Sequence, residues 1–304
     1  MEFQKTLAGP ISFSGVGLHT GAQVHLTLRP GPPDSGIVFH RVDLDNFPIE
    51  ANIKNVARVA YATTLMKQGV LISTVEHLLS SLYVFGVDNA IVEIDNLEVP
   101  ILDGSALEFV RRIGQVGLRE QPRRRRYLVI QKPIRLRDRD KTISILPADR
   151  FEIEYSIDFR HPLIGRQSFK FEASAESFSL EIAPARTFGF VREVEELKRN
   201  GLVRGGSLEN AIVLTDTGIL NDILRFKDEF VRHKILDSIG DLALIGHPLV
   251  GRVVASKAGH ALHTQLVSKV LAHPAVWKLQ TLSEWSRPAR KPSKRPVVAA
   301  AEPA

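Results

Sequence analysis

Residues 228–246 read DEFVRHKILDSIGDLALIG, the longest helix the sequence predicts. Val231, Ile235, Ile239 and Leu242 recur at the spacing of one apolar helical stripe. His233, Asp237 and Asp241 fall at i, i+4 and i+8 on the opposite face, where side chains one turn apart converge. A His and an Asp so placed can bind one metal ion. Taken alone, the same face also reads as a solvated polar surface carrying a His–Asp pair.

Strands precede this helix. YLVIQKPIRLR, KTISILPA and FEIEYSIDF, between residues 127 and 159, predict consecutive antiparallel strands. A short helix, REVEELKRNGL, closes at Gly201, and HALHTQLVSKVLA at 260–272 predicts another. The first half has the same order. FQKTL, AQVHLTLRP, IVFHRV and NAIVEID read as strands, residues 74–86 as a helix ended by Gly86, and DGSALEFVRRIGQVG as a helix after an Asp-Gly turn. Strands followed by helices in both halves predict an α+β protein of two similar domains. The run Arg123–Arg126, beside Pro122, marks the expected boundary. The expected division is 1–122, a basic linker at 123–126, 127–282, and a disordered basic tail at 283–304.

Composition narrows the chemistry. The 304 residues include no cysteine, which excludes disulfides, thiolate zinc sites, iron–sulfur clusters and a cysteine nucleophile. Any metal must sit on His, Asp or Glu. The formal charge is +6, but segments 119–126 and 287–304 each carry a net +4, so the rest is slightly acidic. The basicity therefore describes two short segments and argues against a nucleic-acid-binding face. No apolar run approaches the roughly 18 residues of a membrane span. Lys5, Gly9 and Pro10 interrupt any signal peptide, so a cytoplasmic protein is expected.

The helix at 74–86 supplies partners for His233 and Asp237. Its apolar stripe is Val75, Leu78, Leu79 and Leu82, and His77 points away over Ser80 and Ser81. His77, His233 and Asp237 together offer two imidazoles and one carboxylate with a position left open. Catalytic zinc sites and non-haem iron(II) centres both use that set. Glu76 beside it favours hydrolysis, because a carboxylate there can take a proton from an activated water. Local readings compete: Ser73-x-x-Glu76 is also a capping box, and His77 can be a surface histidine. In KAGHALH, His260 follows a glycine and either simply begins a helix or acts as a general acid held by Asp241. GVGLHTG at 15–21 is a weak phosphate cradle, since no Lys-Ser/Thr follows; a strand connection is the plainer reading.

These residues lie in seven ordered motifs: GVGLHTG, STVEHLLS (73–80), DGSA (103–106), ARTFGF (185–190), GGSLENAIV (205–213), RHKILDSIGDL (232–242) and GHAL (259–262). Together, over roughly residues 3–275, they resemble the UDP-3-O-acyl-N-acetylglucosamine deacetylase family, zinc amidases of lipid A synthesis. The resemblance implies zinc, one per chain, on His77, His233 and Asp237, with Glu76 as general base and His260 as general acid supported by Asp241. It implies that Thr187 and Lys234 stabilise the oxyanion and position substrate, and that Asp158, Phe159 and Lys257 contact the UDP moiety. It implies an acyl-chain passage over 188–213, with Phe188, Val191, Val194, Val203, Ala211 and Val213 along it. The implied fold has each domain as a sheet with two main helices, the helices sandwiched between the sheets. The implied substrate is a UDP-linked acylated glucosamine, and a monomer is expected. His263 departs from the family pattern, which has asparagine after GHAL, and Tyr61 and Met66 fall in a loop that varies. Two other functions fit parts of the chain: a metal amidase or peptidase acting without a nucleotide sugar, and an arginine-rich nucleic-acid binder with no metal requirement.

Overall fold

The computed structural model describes residues 1–221 and 223–285. The expected tail from 286 onward lies outside the described residues. The chain forms an α+β structure with two sheets of five or more strands and their helices.

The first sheet joins Ile11–Val16, Gln23–Pro30, Ala90–Ile94, Ile37–Arg41 and Phe47–Glu50, in that order. Its strands alternate in burial because successive side chains face opposite sides. Leu26, Leu28, Phe39, Ile49, Val92 and Ile94 face a core with Leu78, Leu79 and Leu82 of helix Glu76–Phe85 and Phe109 and Ile113 of helix Leu107–Val116.

The second sheet is built around Leu249–Ser256, which pairs with three strands. Lys141–Leu146 runs antiparallel to it, while Phe151–Phe159 and Arg126–Ile130 run parallel. Of the expected run of antiparallel strands, Ile134–Asp138 and Lys141–Leu146 do pair antiparallel, but Phe151–Phe159 pairs with neither of them, because Leu249–Ser256 is the partner of both Lys141–Leu146 and Phe151–Phe159. YLVIQKPIRLR is also two strands, Arg126–Ile130 and Ile134–Asp138, broken by backbone bonds from Gln131 and Lys132 to the Val276 carbonyl. Tyr155, Ile157, Val253 and Ala255 pack on Val231, Ile235 and Ile239 of helix Glu229–Ala243 and on Leu262, Leu266 and Val267 of helix His260–Ala272.

The arginine run is not loop. Arg123 and Arg124 complete the strand Leu118–Arg124, which pairs with Phe3–Leu7, and Arg126 opens a strand of the second sheet. The chain changes sheets within two residues. Met66 likewise lies in a strand, Thr64–Lys67, of a small three-stranded sheet, while Tyr61 is 64% exposed.

Helices 76–85 and 229–243 pack directly on one another. Their contact is close: a Cβ at Gly240 would collide with the Glu76 carbonyl, and the small residues Ser80, Ser81 and Ser238 of the two helices are fully buried. The polar faces of both helices are therefore buried against each other, and the reading of either as a solvated face is corrected.

Candidate metal centre

His77, His233 and Asp237 meet where the two helices cross, each at most 4% exposed. Asp237 Oδ1 lies 3.6 Å from His77 Nε2 and 3.4 Å from His233 Nε2. Those gaps are long for hydrogen bonds but match the roughly 3.3 Å between ligand atoms sharing a tetrahedral ion at zinc-like distances. The two imidazoles stand nearly perpendicular, at 89°. The donor set fits a divalent ion with nitrogen and oxygen ligands.

The surroundings suit each of these side chains to hold a cation. The Ala185 carbonyl lies 3.1 Å from His233 Nδ1, so this nitrogen carries the proton and Nε2 is free for a metal. Burial pushes the His233 pKa down to about 3, outweighing the pull of Asp237, so the ring is neutral as a ligand must be. Burial alone would raise Asp237, but His233, Lys234, His77 and His260 hold it well below the usual carboxylate range. Lys234 Nζ donates to Asp237 Oδ2 at 2.8 Å, leaving Oδ1 facing the histidines. Lys234 also lies 5.4 Å from the centre of the Phe188 ring.

Glu76 faces the same space, since its carboxylate, Asp237 and His260 also fall within one ligand-sized cluster. The capping box does not form. Helix 76–85 starts after Val75 with no side-chain cap, Ser73 pairs with Thr64, and Glu76 Oε2 accepts from the Thr63 N–H at 3.1 Å. The turn ahead of it is unusual: Thr74 has φ of 58°, a region β-branched residues avoid. Its hydroxyl donates to Glu98 at 2.9 Å. Burial lifts the Glu76 pKa to about 7 against the pull of His260 and His77. His260 begins helix 260–272, with Nδ1 2.7 Å from Asp241 Oδ2. Burial opposes its charge, but Asp241, Asp237 and Glu76 raise its pKa to about 9.

GVGLHTG closes around a buried carboxylate. Glu98 accepts from the N–H groups of His19 and Thr20 and from the Thr20 hydroxyl. A Cβ at Gly17 would strike that carboxylate. These donors are spent inside the protein, so the loop is no phosphate cradle, and it does more than connect strands. Glu98 had no motif to announce it. Thr63 was equally silent: its N–H meets Glu76 and its hydroxyl meets Asp241 at 2.5 Å.

Thr187 is held between the halves. Its N–H donates to the Gly104 carbonyl and its own carbonyl accepts from Ile212, both at 2.8 Å. The DGSA motif fastens this segment, as Arg225 binds Asp103, Ser105 and the Pro184 carbonyl. Phe188 meets Phe230, Phe159 and His233 edge-on. Strands Phe188–Phe190 and Ile212–Leu214 pair in parallel around helix Val191–Arg199, which carries Val191 and Val194. Val213 lies in the second of those strands, after Ala211, and Val203, with φ of 55°, lies in the connection. A cavity of about 220 Å³ at this unit is lined by Val191, but not by Val194, Val203, Ala211 or Val213. Asp158 and Lys257 are paired with each other at 2.9 Å. The larger cavity, about 560 Å³, is lined by Arg123–Arg126, Asp88 and His247 and touches none of the expected site residues.

Two imidazoles and a carboxylate, with a second carboxylate poised near neutrality beside them, define a metal-dependent hydrolase centre on an α+β scaffold. The profile of the UDP-3-O-acyl N-acetylglycosamine deacetylase family matches residues 4–272, and the chain belongs to that family. A UDP-3-O-acyl-N-acetylglucosamine deacetylase of Solibacter usitatus is 50% identical over 285 residues, 93% of this chain and 96% of the relative. One from Myxococcus xanthus is 51% identical over 278 residues, 91% and 88% of the two chains. One from Syntrophotalea carbinolica is 49% identical over 281 residues, 92% and 91%. Among the described residues, no helix is long and apolar enough to cross a membrane.

Proposed function

We propose that the chain removes the N-acetyl group of a UDP-3-O-(3-hydroxyacyl)-N-acetylglucosamine, releasing acetate, in lipid A biosynthesis. One zinc ion per chain is held by His77, His233 and Asp237. When bound, it supplies a Lewis acid that polarises the amide carbonyl and acidifies water. Glu76 takes the proton of the water that attacks the carbonyl carbon. The Thr187 hydroxyl and Lys234 stabilise the charge that develops on the carbonyl oxygen. His260, kept cationic by Asp241, gives its proton to the leaving amine.

The observation that carries this reading is the shared space. Asp237 belongs both to the cluster with His77 and His233 and to the cluster with Glu76 and His260. A metal held by the first cluster would therefore stand beside two groups able to move protons, which supports a metal-assisted amide hydrolysis.

Asp158, Phe159 and Lys257 are assigned to the UDP moiety, which replaces the Asp158–Lys257 pairing when it binds. The segment 188–213 is assigned to the acyl chain, with Phe188, Val191, Val194, Val203, Ala211 and Val213 against it. The halves 1–122 and 127–282 act as two domains of a cytoplasmic monomer. Elemental analysis of the purified protein, followed by acetate release from the acylated UDP-sugar, tests the function. About one zinc per chain and acetate formed in step with free amine are expected. Turnover of simple acetamides with no response to the UDP group would overturn it.

A further inference from the structure

The Asp241 carboxylate holds two imidazoles. It is fully buried, and its Oδ2 lies 2.7 Å from His260 Nδ1 and 2.8 Å from His263 Nδ1. The two rings sit one turn apart on helix 260–272 and approach edge-on. Oδ1 is taken by the Thr63 hydroxyl.

His263 is itself fully buried, and the function described above uses none of its atoms. Its Nε2 turns away from Asp241, 2.9 Å from the Tyr155 hydroxyl. Tyr155 is buried in the strand Phe151–Phe159, and its hydroxyl is 2.7 Å from the Ala258 carbonyl. Ala258 stands two residues before His260. A closed ring of contacts therefore runs from the sheet through Tyr155, His263 and Asp241 to His260 and back through the backbone. Its neighbours Leu262, Leu266 and Val267 are core residues. An apolar side chain would fill the same place without the cost of burying polar atoms, so the pair calls for a reason.

We propose that His263, braced by Tyr155, is a positioning residue that fixes the Asp241 carboxylate toward His260. The inference rests on the reading of His260 as the proton donor. Without His263, Oδ2 would be held only by the ring it is meant to orient, and the two groups would turn together about the Thr63 contact. With it, the direction of Oδ2 is set from the sheet, and His260 is aimed before substrate binds. Such pre-aligned partners are what keep an acid in reach of the leaving group.

The test measures zinc content, thermal midpoint and acetate-release kinetics of the zinc-loaded protein. His263→Leu should lower kcat about 10-fold, the scale for losing an outer hydrogen-bonding partner, with KM and zinc content unchanged. His263→Asn should restore kcat to within about 3-fold of the starting protein, because its amide N–H can donate to the same oxygen. In a His260→Ala background, His263→Leu should cost nothing further, since groups acting as a unit are not additive. A merely structural role would give the same loss in both backgrounds. Normal kcat in His263→Leu, equal losses in the Leu and Asn variants, or a full additional loss beside His260→Ala would each overturn the proposal. If His263→Leu does not fold, Tyr155→Phe decides. A lowered kcat that disappears in the His260→Ala background supports the bracing, and an unchanged kcat overturns it. Full activity in His260→Ala alone would overturn the proton-donor reading itself, a result distinct from silence at His263.

Discussion

Glu76 and Asp241 are both buried carboxylates on crossing helices, and they end in opposite states. Burial raises the pKa of each. Glu76 has one hydrogen-bond donor among the described residues, the Thr63 N–H, and is left at about 7. Asp241 is pulled below its ordinary value by His260 and His263, and the Thr63 hydroxyl lies on its other oxygen. Depth is the same for the two groups, so donor number and neighbouring charge decide the outcome. A carboxylate starved of donors is available to accept a proton, and a saturated one is an anchor. Thr63 serves both, with its backbone on one and its side chain on the other.

Several substitutions break or sharpen that contrast, and the largest effect is expected at the proposed metal site beside Glu76. His233→Ala deletes one of the three proposed ligands, so zinc content should fall well below one per chain and activity should collapse. A full zinc complement with normal turnover would refute the ligand assignment. Glu76→Gln keeps the volume but cannot accept the proton. It should fold, retain zinc, and lose roughly 10²-fold or more in turnover, the scale of lost general acid–base catalysis. Near-normal turnover would move the base elsewhere, with His260 the first candidate.

Asp241→Asn strikes the anchor and should cost roughly 10-fold in turnover. The sign of its pH effect follows from the charges around His260. Asp241, Asp237 and Glu76 favour the imidazolium, while burial opposes it; His263, whose own pKa burial lowers, faces the ring edge-on. Removing the Asp241 charge should lower the His260 pKa from about 9. A general acid must be protonated, so activity that persists up to that pKa should fail at lower pH. An alkaline limb that does not move would separate Asp241 from His260. The smallest effect is expected from Thr63→Val, which removes only the hydroxyl on Asp241 and keeps the N–H on Glu76. It should lower the unfolding free energy by about 1–3 kcal/mol, readable by denaturant titration, with less effect on turnover than Asp241→Asn.

What was legible in the sequence was short-range. The 3.6-residue spacing marks helices 76–85, 229–243 and 260–272, and the i, i+4 relation of His233 and Asp237 follows from helical geometry alone. The α+β order of strands and helices was also readable, because alternating burial has a period of two. Long-range strand pairing was not: Leu249–Ser256 pairs with strands about a hundred residues away, and no local pattern records that. The reading of Glu76 was undecided for the same reason. Ser73-x-x-Glu76 satisfies the capping pattern, yet Ser73 turns to Thr64 and the carboxylate turns inward.

The sequence by itself determined which side chains share a helical face and which chemistry their donor atoms allow. Only the tertiary structure decided that the polar faces of two helices are buried against each other. Gly240, where a Cβ would collide with the Glu76 carbonyl, lets the backbones approach closely enough for His77 to reach His233 and Asp237. Desolvation, donor number and the distance between ligands from separate helices all arise at that contact. They are properties of the packed pair, which neither segment possesses alone.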